Sequence, residues 1–200
     1  MNKTIKLFLG LVILMTTITF VSCEKDEEEE VTPPVVVLKS HIKYDNTEYP
    51  LAAGYLENYG LEDSTYNTDL VLLSSGFTVH ESNGEIDSLS GTGDGIIFEM
   101  YSSQGDKLDI GDYIYDENET YASKTITYGD LVLNYSIADE TGFEASLEDG
   151  KVTVISNGAE YELSFEGTDE NGKAVSGYYK GTLKYYDYST KSAKSKKARF

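Results

Sequence analysis

Few residues in this chain are of types that do chemistry on their own. Cys23 is the only cysteine, and His41 and His80 are the only histidines. Neither histidine sits in a metal-binding spacing such as His-Glu-x-x-His, and both read as surface strand residues. The chain has no Gly-x-Ser-x-Gly elbow, so the common serine-hydrolase arrangement lacks its signature. Gly91-Thr92-Gly93-Asp94-Gly95 looks superficially like a nucleotide loop. A β-rich stretch follows it where the fingerprint requires a helix, so it reads as a flexible approach to a strand. Asp and Glu together number 35, which makes carboxylate pairs uninformative. Glycoside hydrolysis needs two of them at a set separation across a cleft, a property that sequence spacing does not demonstrate. Asp169-Glu170-Asn171-Gly172 is half of a calcium loop without the closing bidentate Glu, and a hairpin turn accounts for it. Asp109, Asp112, Asp116, Glu117 and Glu119 form a denser oxygen cluster, to be weighed as a calcium site against a solvated loop. This reading assigns no catalytic residue, no metal and no cofactor.

The first 22 residues carry an address. Lys3 and Lys6 precede a nearly unbroken apolar run from Leu7 to Met15, and a Thr-rich stretch leads to Ser22 and Cys23. The layout is that of a secretory signal, its core shorter than the roughly 20 residues a bilayer-spanning helix needs. Val21-Ser22-Cys23 resembles a lipobox, the processing site of bacterial lipoproteins. That resemblance implies removal of residues 1–22 and diacylation of Cys23, whose two acyl chains provide stable membrane attachment. The following Glu24 to Glu30 run resembles the lipoprotein export signal of Bacteroidota, with Lys25, Asp26, Glu27 and Glu28 matching its lysine-plus-acid pattern. It implies an outer-membrane lipoprotein facing the cell exterior. The same run also serves as a self-repelling spacer. The motif-level likeness covers residues 1 to about 30 and is one of style beyond them.

Removing those 22 residues leaves 178 of the 200, enough for one domain with a substantial core. It also removes two lysines and no acid, so the formal net charge falls from −19 to −21. Such a chain repels phosphate backbones, which excludes nucleic acid as a partner. With its one cysteine acylated, the domain has no disulfide. Trp is absent, whereas Tyr reaches 17 and Gly 18. That bias, with frequent Val, Ile and Thr, points to an all-β chain.

The expected organisation is a signal peptide (1–22), a lipidated acidic tether stiffened by Pro33 and Pro34 (23–38), one all-β domain (39–190) and a basic, disordered tail (191–200). A two-residue Asp45-Asn46 loop pairs Ile42 with Tyr49 and Tyr44 with Thr47. Asp69 to Ser74 reads as a central strand covered on both faces. The polar, Gly-rich stretch from Ser82 to Gly95 reads as a loop. Ile96, Phe98 and Met100 then alternate with Ile97, Glu99 and Tyr101. A two-residue Asp149-Gly150 turn pairs Leu147 with Val152. An Asn157-Gly158 turn pairs Val154 with Tyr161 and Val152 with Leu163. At the third turn, register decides: only a three-residue Glu170-Asn171-Gly172 loop, with Gly172 left-handed, sets Leu163 opposite Tyr179 and Phe165 opposite Gly177. These turns make a four-stranded meander within nine or ten strands. The fold expected is an antiparallel β-sandwich rich in hairpins, the alternative being a closed or flattened, lipocalin-like up-and-down β-barrel.

One candidate binding face emerges. Tyr178, Lys180, Lys184, Tyr186 and Tyr188 share the outward face of the last strand, where tyrosines flanked by lysines stack on sugar rings or mark a protein partner. Covering strands would instead make the tyrosines core. The function expected is a non-enzymatic, membrane-anchored binding or accessory module whose partner is a glycan or another outer-membrane protein. The alternatives are a carrier of an apolar small molecule, which requires an empty barrel, and a glycan-active hydrolase, which requires a cleft with converging carboxylates.

Overall fold

The structure is a computed structural model that describes residues 38–190. Cys23, the Lys25 to Glu28 tract, the proline tether and the basic tail lie outside the described residues. Within them the chain is all-β, as its composition requires. It forms twelve strands: β1 (His41–Tyr44), β2 (Thr47–Pro50), β3 (Ala53–Glu62), β4 (Thr65–Leu73), β5 (Phe77–Ser82), β6 (Glu85–Ser102), β7 (Gly111–Tyr115), β8 (Thr125–Ser136), β9 (Thr141–Asn157), β10 (Tyr161–Asp169), β11 (Ala174–Gly181) and β12 (Leu183–Asp187). Their order across the sheet is β12-β3-β4-β6-β8-β7-β9-β10-β11-β1-β2, with β5 attached to β6. Pairing is antiparallel except at β12–β3 and β7–β8. The sheet curls into a half-barrel. A single stretch, residues 174–187, serves both ends of the order: β11 pairs with β10 and β1, and β12 with β3.

The concave side holds the main core. Ile42, Leu56, Leu70, Leu72, Ile96, Met100, Leu131, Val152 and Leu163 are essentially inaccessible there, packed with Phe98 and Phe165, whose rings lie 5.5 Å apart. At one end of the barrel the 103–110 loop inserts Leu108, which is fully buried. Asn157 Nδ2 donates to the Leu108 carbonyl at 2.8 Å, and the Asp109 amide donates to the buried Tyr113 hydroxyl at 2.7 Å. Burial pushes that phenol up to about 12.

A second core lies on the convex side. β4 is apolar on both faces, as expected, so Val71 and Leu73 need cover outside the barrel. The stretch from Ser82 to Gly95, expected as a loop, supplies it. Asn83 and Gly84 (φ 55° and 81°) form a tight turn, and β5 with the first half of β6 makes a hairpin arm over β3, β4 and β8. Phe77 of the arm packs with Val71, Leu73, Ile97, Val132 and Tyr135. The chain crosses between layers at a glycine corner. A Cβ on Gly76 would lie 2.1 Å from the Thr92 carbonyl oxygen, and one on Gly91 (φ 101°) 2.2 Å from that of Gly76. The Gly91 to Gly95 run is therefore a bulged strand corner, not a flexible approach.

Two hairpin registers are as expected. Ile42 faces Tyr49, and Tyr44 faces Thr47 across Asp45-Asn46, both at positive φ. Leu163 faces Tyr179, Phe165 faces Gly177, and Glu162 faces Lys180, with Gly172 at φ 70°. Two others need correction. Asp149-Gly150 is not a turn, because β9 runs unbroken through it, and the four-stranded meander is therefore absent. Leu131 and Leu133 of β8 need partners, and Ala145 and Phe143 pair with them. The Asp149 carboxylate accepts from the Thr168 amide at 2.7 Å and so settles a bulge in β9 at Glu148. At the next turn Val154 faces Leu163 and Val152 faces Phe165, two residues from the expected register. The loop there is residues 158–160, a slip of three, and a one-residue bulge at Ile155 opposite Glu162/Leu163 brings it back to two, which keeps every side chain on its face.

Gly177 sits where a Cβ would lie 2.1 Å from Phe165 Cζ and 2.5 Å from the His41 carbonyl oxygen. Gly177→Ala should cost about 2–3 kcal/mol through overpacking. It should lower the urea midpoint without changing the slope. An unchanged midpoint would mean that the β1–β11 seam is loosely packed.

Candidate functional site

The outward face of the sheet has two halves with different fates. One half, over β12, β3, β4 and β6, lies under the arm. Here Tyr59, Tyr186 and Tyr188 pack with Tyr55 and Ile86 in a stacked run: Tyr55–Tyr186 at 6.1 Å, Tyr186–Tyr188 at 6.3 Å and Tyr59–Tyr188 at 5.6 Å between ring centroids. Polar ends pin the arm to them. Tyr186 donates to Glu81 at 2.6 Å, Lys184 Nζ lies 2.5 and 2.6 Å from the two Glu81 oxygens, and the Ile86 amide donates to the Tyr188 hydroxyl at 3.0 Å. Hydrogen bonds from Lys184 and Tyr186 hold the Glu81 carboxyl below its usual range.

This arrangement divides the expected binding face. The five residues do share one outward parity, but Tyr186 and Tyr188 are only 2% and 6% exposed. They are packed beneath the arm and do not form an open aromatic patch. Lys184 is exposed yet ion-paired with Glu81. Tyr178 and Lys180 sit on β11, beyond the arm's reach, and remain accessible.

The covered half also contains an acid that sequence reasoning missed. Glu57 is 3% exposed and faces Asp69, 2% exposed, directly across β3–β4, with Glu99 next in the row on β6. Burial raises the Glu57 pKa, and a 2.6 Å hydrogen bond from Tyr59 only partly offsets that. The only sequence-level hint was an acid at an outward position of each strand beside apolar or aromatic outward neighbours, Tyr55 and Tyr59 on β3 and Val71 on β4.

The other half of the outward face, over β7, β9, β10, β11 and β1, has no layer above it among the described residues. Cross-strand rows can be followed over five strands: Asp112, Thr153, Ser164, Tyr178 and His41 in one, Ile114, Lys151, Glu166, Ser176 and Lys43 in the next. Thr153 donates to Asp112 at 2.7 Å, and Tyr178 donates to Glu162 at 2.9 Å. Lys151–Glu166 at 3.1 Å and Lys180–Glu162 at 3.0 Å are cross-strand ion pairs. Lys151, Thr153, Ser164, Phe165, Glu166 and Ser176 line a depression of about 200 Å³. A shallower one of about 360 Å³ shares Lys151 and Glu166 and extends past Ile114 and Tyr115. Ile110, Ile114 and Ile155 flank this face at 56%, 51% and 48% exposure. Two errors hid this row from sequence reasoning: the false turn at Asp149-Gly150 cut Lys151 and Thr153 off from Ile114 and Asp112 on β7, and the two-residue error at Asn157-Gly158 set them against the wrong residues of β10.

The acids weighed as a calcium site do not converge. Asp109 accepts from the Ser103 amide and hydroxyl, Asp112 from Thr153, and Asp116 from the Asn118 and Thr120 amides. Among the described residues no group of three or more His, Cys, Asp or Glu side chains is placed to hold a metal ion. His41 and His80 lie on β1 and β5 and bond separately, to the Lys39 carbonyl and to Ser90. No protein-family model, no curated protein and no solved structure matches the chain.

Glu57 gives the covered half a definite pH dependence. Its folded pKa exceeds its unfolded value, so its contribution to stability is intact below the unfolded pKa and lost as pH rises through the folded one. Urea midpoints of the native protein and of Glu57→Gln should coincide in acid and diverge as pH rises, with the native protein the less stable at neutrality. Parallel profiles would show that Glu57 ionises as freely in the fold as in water.

Proposed function

We propose that this chain is an outer-membrane lipoprotein, anchored through Cys23, which displays a non-enzymatic binding or accessory module at the cell surface. Its partner is a glycan or another outer-membrane protein. The address rests on the lipobox-like Val21-Ser22-Cys23 and on the lysine-plus-acid tract that follows it. The observation that carries the binding role is the unequal covering of one sheet. The arm buries the outward face over β3, β4 and β12, while the equivalent face over β9, β10 and β11 stays open, ridged by paired charges and flanked by three exposed isoleucines. Exposed apolar residues grouped on one face mark interaction sites. A carrier of apolar molecules would need room inside the half-barrel. Phe98, Phe165, Tyr113 and the aliphatic core occupy that space, which favours recognition on the outside.

Protease added to intact cells tests the address. The native domain should be degraded, and a variant with residues 25–30 replaced by alanine should be protected. Equal protection of both would place the protein on the periplasmic side and reduce the acidic tract to a spacer.

A further inference from the structure

We propose that the open face binds an uncharged saccharide chain, which lies across β9, β10 and β11 over the depression floored by Ser164 and Ser176. The proposal rests on reading that face as the binding surface, and it commits to one occupant for three reasons.

The first is the chemistry of the floor. Ser164 and Ser176 are half-buried, and neither hydroxyl bonds to another described residue. Each offers one donor and two acceptor lone pairs at the bottom of a depression. They sit on adjacent strands, with Lys151, Thr153 and Glu166 around them. Strands repeat about every 4.8 Å across a sheet, so the row from Thr153 through Ser164 to Tyr178 presents polar groups at regular short intervals. A chain of linked polyhydroxyl rings meets such a row with one ring after another. The Tyr178 ring stands at one end, its hydroxyl committed to Glu162, which in turn holds Lys180. An aromatic ring fixed in this way offers its face to the C–H side of a sugar at little entropic cost.

The second is charge. Both carboxylates flanking the depression, Glu162 and Glu166, are already paired with lysines. Within the depression, lined by Lys151 and Glu166, neither sign is left over; at its margins Asp112 accepts from Thr153, and Lys43 faces Glu48 across β1–β2. A chain of formal net charge −19 repels uronates and sulfated sugars at longer range as well.

The third concerns a protein occupant. The centres of protein interfaces are enriched in aromatics, Met and Arg and depleted in Lys, Glu, Asp and Ser. Here the centre of the face is Lys151, Glu166, Ser164 and Ser176, and the isoleucines are at its margin, on β7, on β9 and just before β7. That is the composition of a polar, hydroxyl-matching surface, the inverse of a desolvated hot spot.

The test uses the full mature protein in detergent and titrates it calorimetrically with uncharged hexasaccharides of glucose, mannose, galactose and xylose, with hexagalacturonate as the anionic counterpart. At least one uncharged chain should bind. Tyr178→Ala should weaken it at least tenfold, and Tyr178→Phe, which keeps the ring, should retain most of the affinity. Ser164→Gln, which fills the depression from an accessible position, should weaken binding comparably with no loss of melting temperature. Four results overturn the proposal: no uncharged chain binds, hexagalacturonate alone binds, affinity survives both Tyr178→Ala and Ser164→Gln, or Tyr178→Phe loses as much as Tyr178→Ala. A photo-cross-linker at position 176 on intact cells separates this failure from that of the wider reading. If no saccharide binds and the cross-linker captures an outer-membrane protein, the saccharide is wrong and the binding module stands. If the face captures nothing and binds nothing, both fall.

Discussion

A strand that is apolar on both faces cannot end the protein's business at a single layer. From Asp69 to Leu73 every residue of β4 is buried, with Leu70 and Leu72 turned into the half-barrel and Val71 and Leu73 turned out. The curl of the sheet satisfies the first pair and leaves the second facing water. Burying side chains of this size is worth about 1.5–3 kcal/mol each, which is large against a net stability of 5–15 kcal/mol. The β5–β6 arm is the answer to that constraint. Its length fixes how far β6 must extend, and its return path requires the glycine corner at Gly76, Gly91 and Gly93, where two backbones pass too close for any side chain. It also decides which other outward residues lose contact with water.

Buried carboxylates are treated unequally beneath the arm and away from it. Asp169, at the far end of the barrel, is as buried as Glu57 by accessible surface. Burial would raise its pKa, but the Tyr44 hydroxyl at 2.7 Å and the Asn171 and Lys173 amides at 2.9 and 2.8 Å more than reverse that, and the carboxyl ends below its usual range. Three donors aimed at the charged form suffice to keep it ionised. Glu57 receives the Tyr59 hydroxyl, and its pKa goes up. The difference follows from location. Asp169 caps a tight hairpin whose amides must point somewhere, whereas Glu57 sits mid-strand, where every neighbouring amide is already spent in the ladder.

The same distinction between local and non-local causes explains what was legible in the sequence. The Asp45-Asn46 and Glu170-Asn171-Gly172 turns could be read because two local signals, turn chemistry and hydrophobic register, agreed on one pairing. Asp149-Gly150 carries an equally good turn signal and is not a turn. The apolar residues of β8 compete for Ala145 and Phe143, and the acid is taken up by the Thr168 amide across a bulge. Asn83-Gly84 is the converse case. Its turn signal was sound, but the polar residues around it masked a hairpin that buries only alternate positions, such as Phe77 and, partly, Val79 and Leu89. The candidate site suffered from the same blindness. Thr153, Ser164 and Ser176 become neighbours only through the β9–β10–β11 register, of which the β10–β11 half was legible and the β9–β10 half was misread by two residues at Asn157-Gly158.

Tyr178, Lys180, Lys184, Tyr186 and Tyr188 make the point within one stretch of chain. They keep a single outward parity through the Gly181-Thr182 junction, so alternation alone gives all five the same standing. Yet the first two belong to a strand paired with β10 and β1, and the rest to a segment that follows β3 beneath the arm. Periodicity reports which way a side chain points, and only the tertiary cover reports whether anything lies above it. The segment joins both ends of the curled sheet, so its tyrosines pass from an open surface to a core within about ten residues. The covered end is spent on holding the arm through Glu81 and Ile86. Under the proposed binding role, recognition falls to the uncovered end, where Tyr178 is oriented by Glu162 and the Ser164 and Ser176 hydroxyls face the depression.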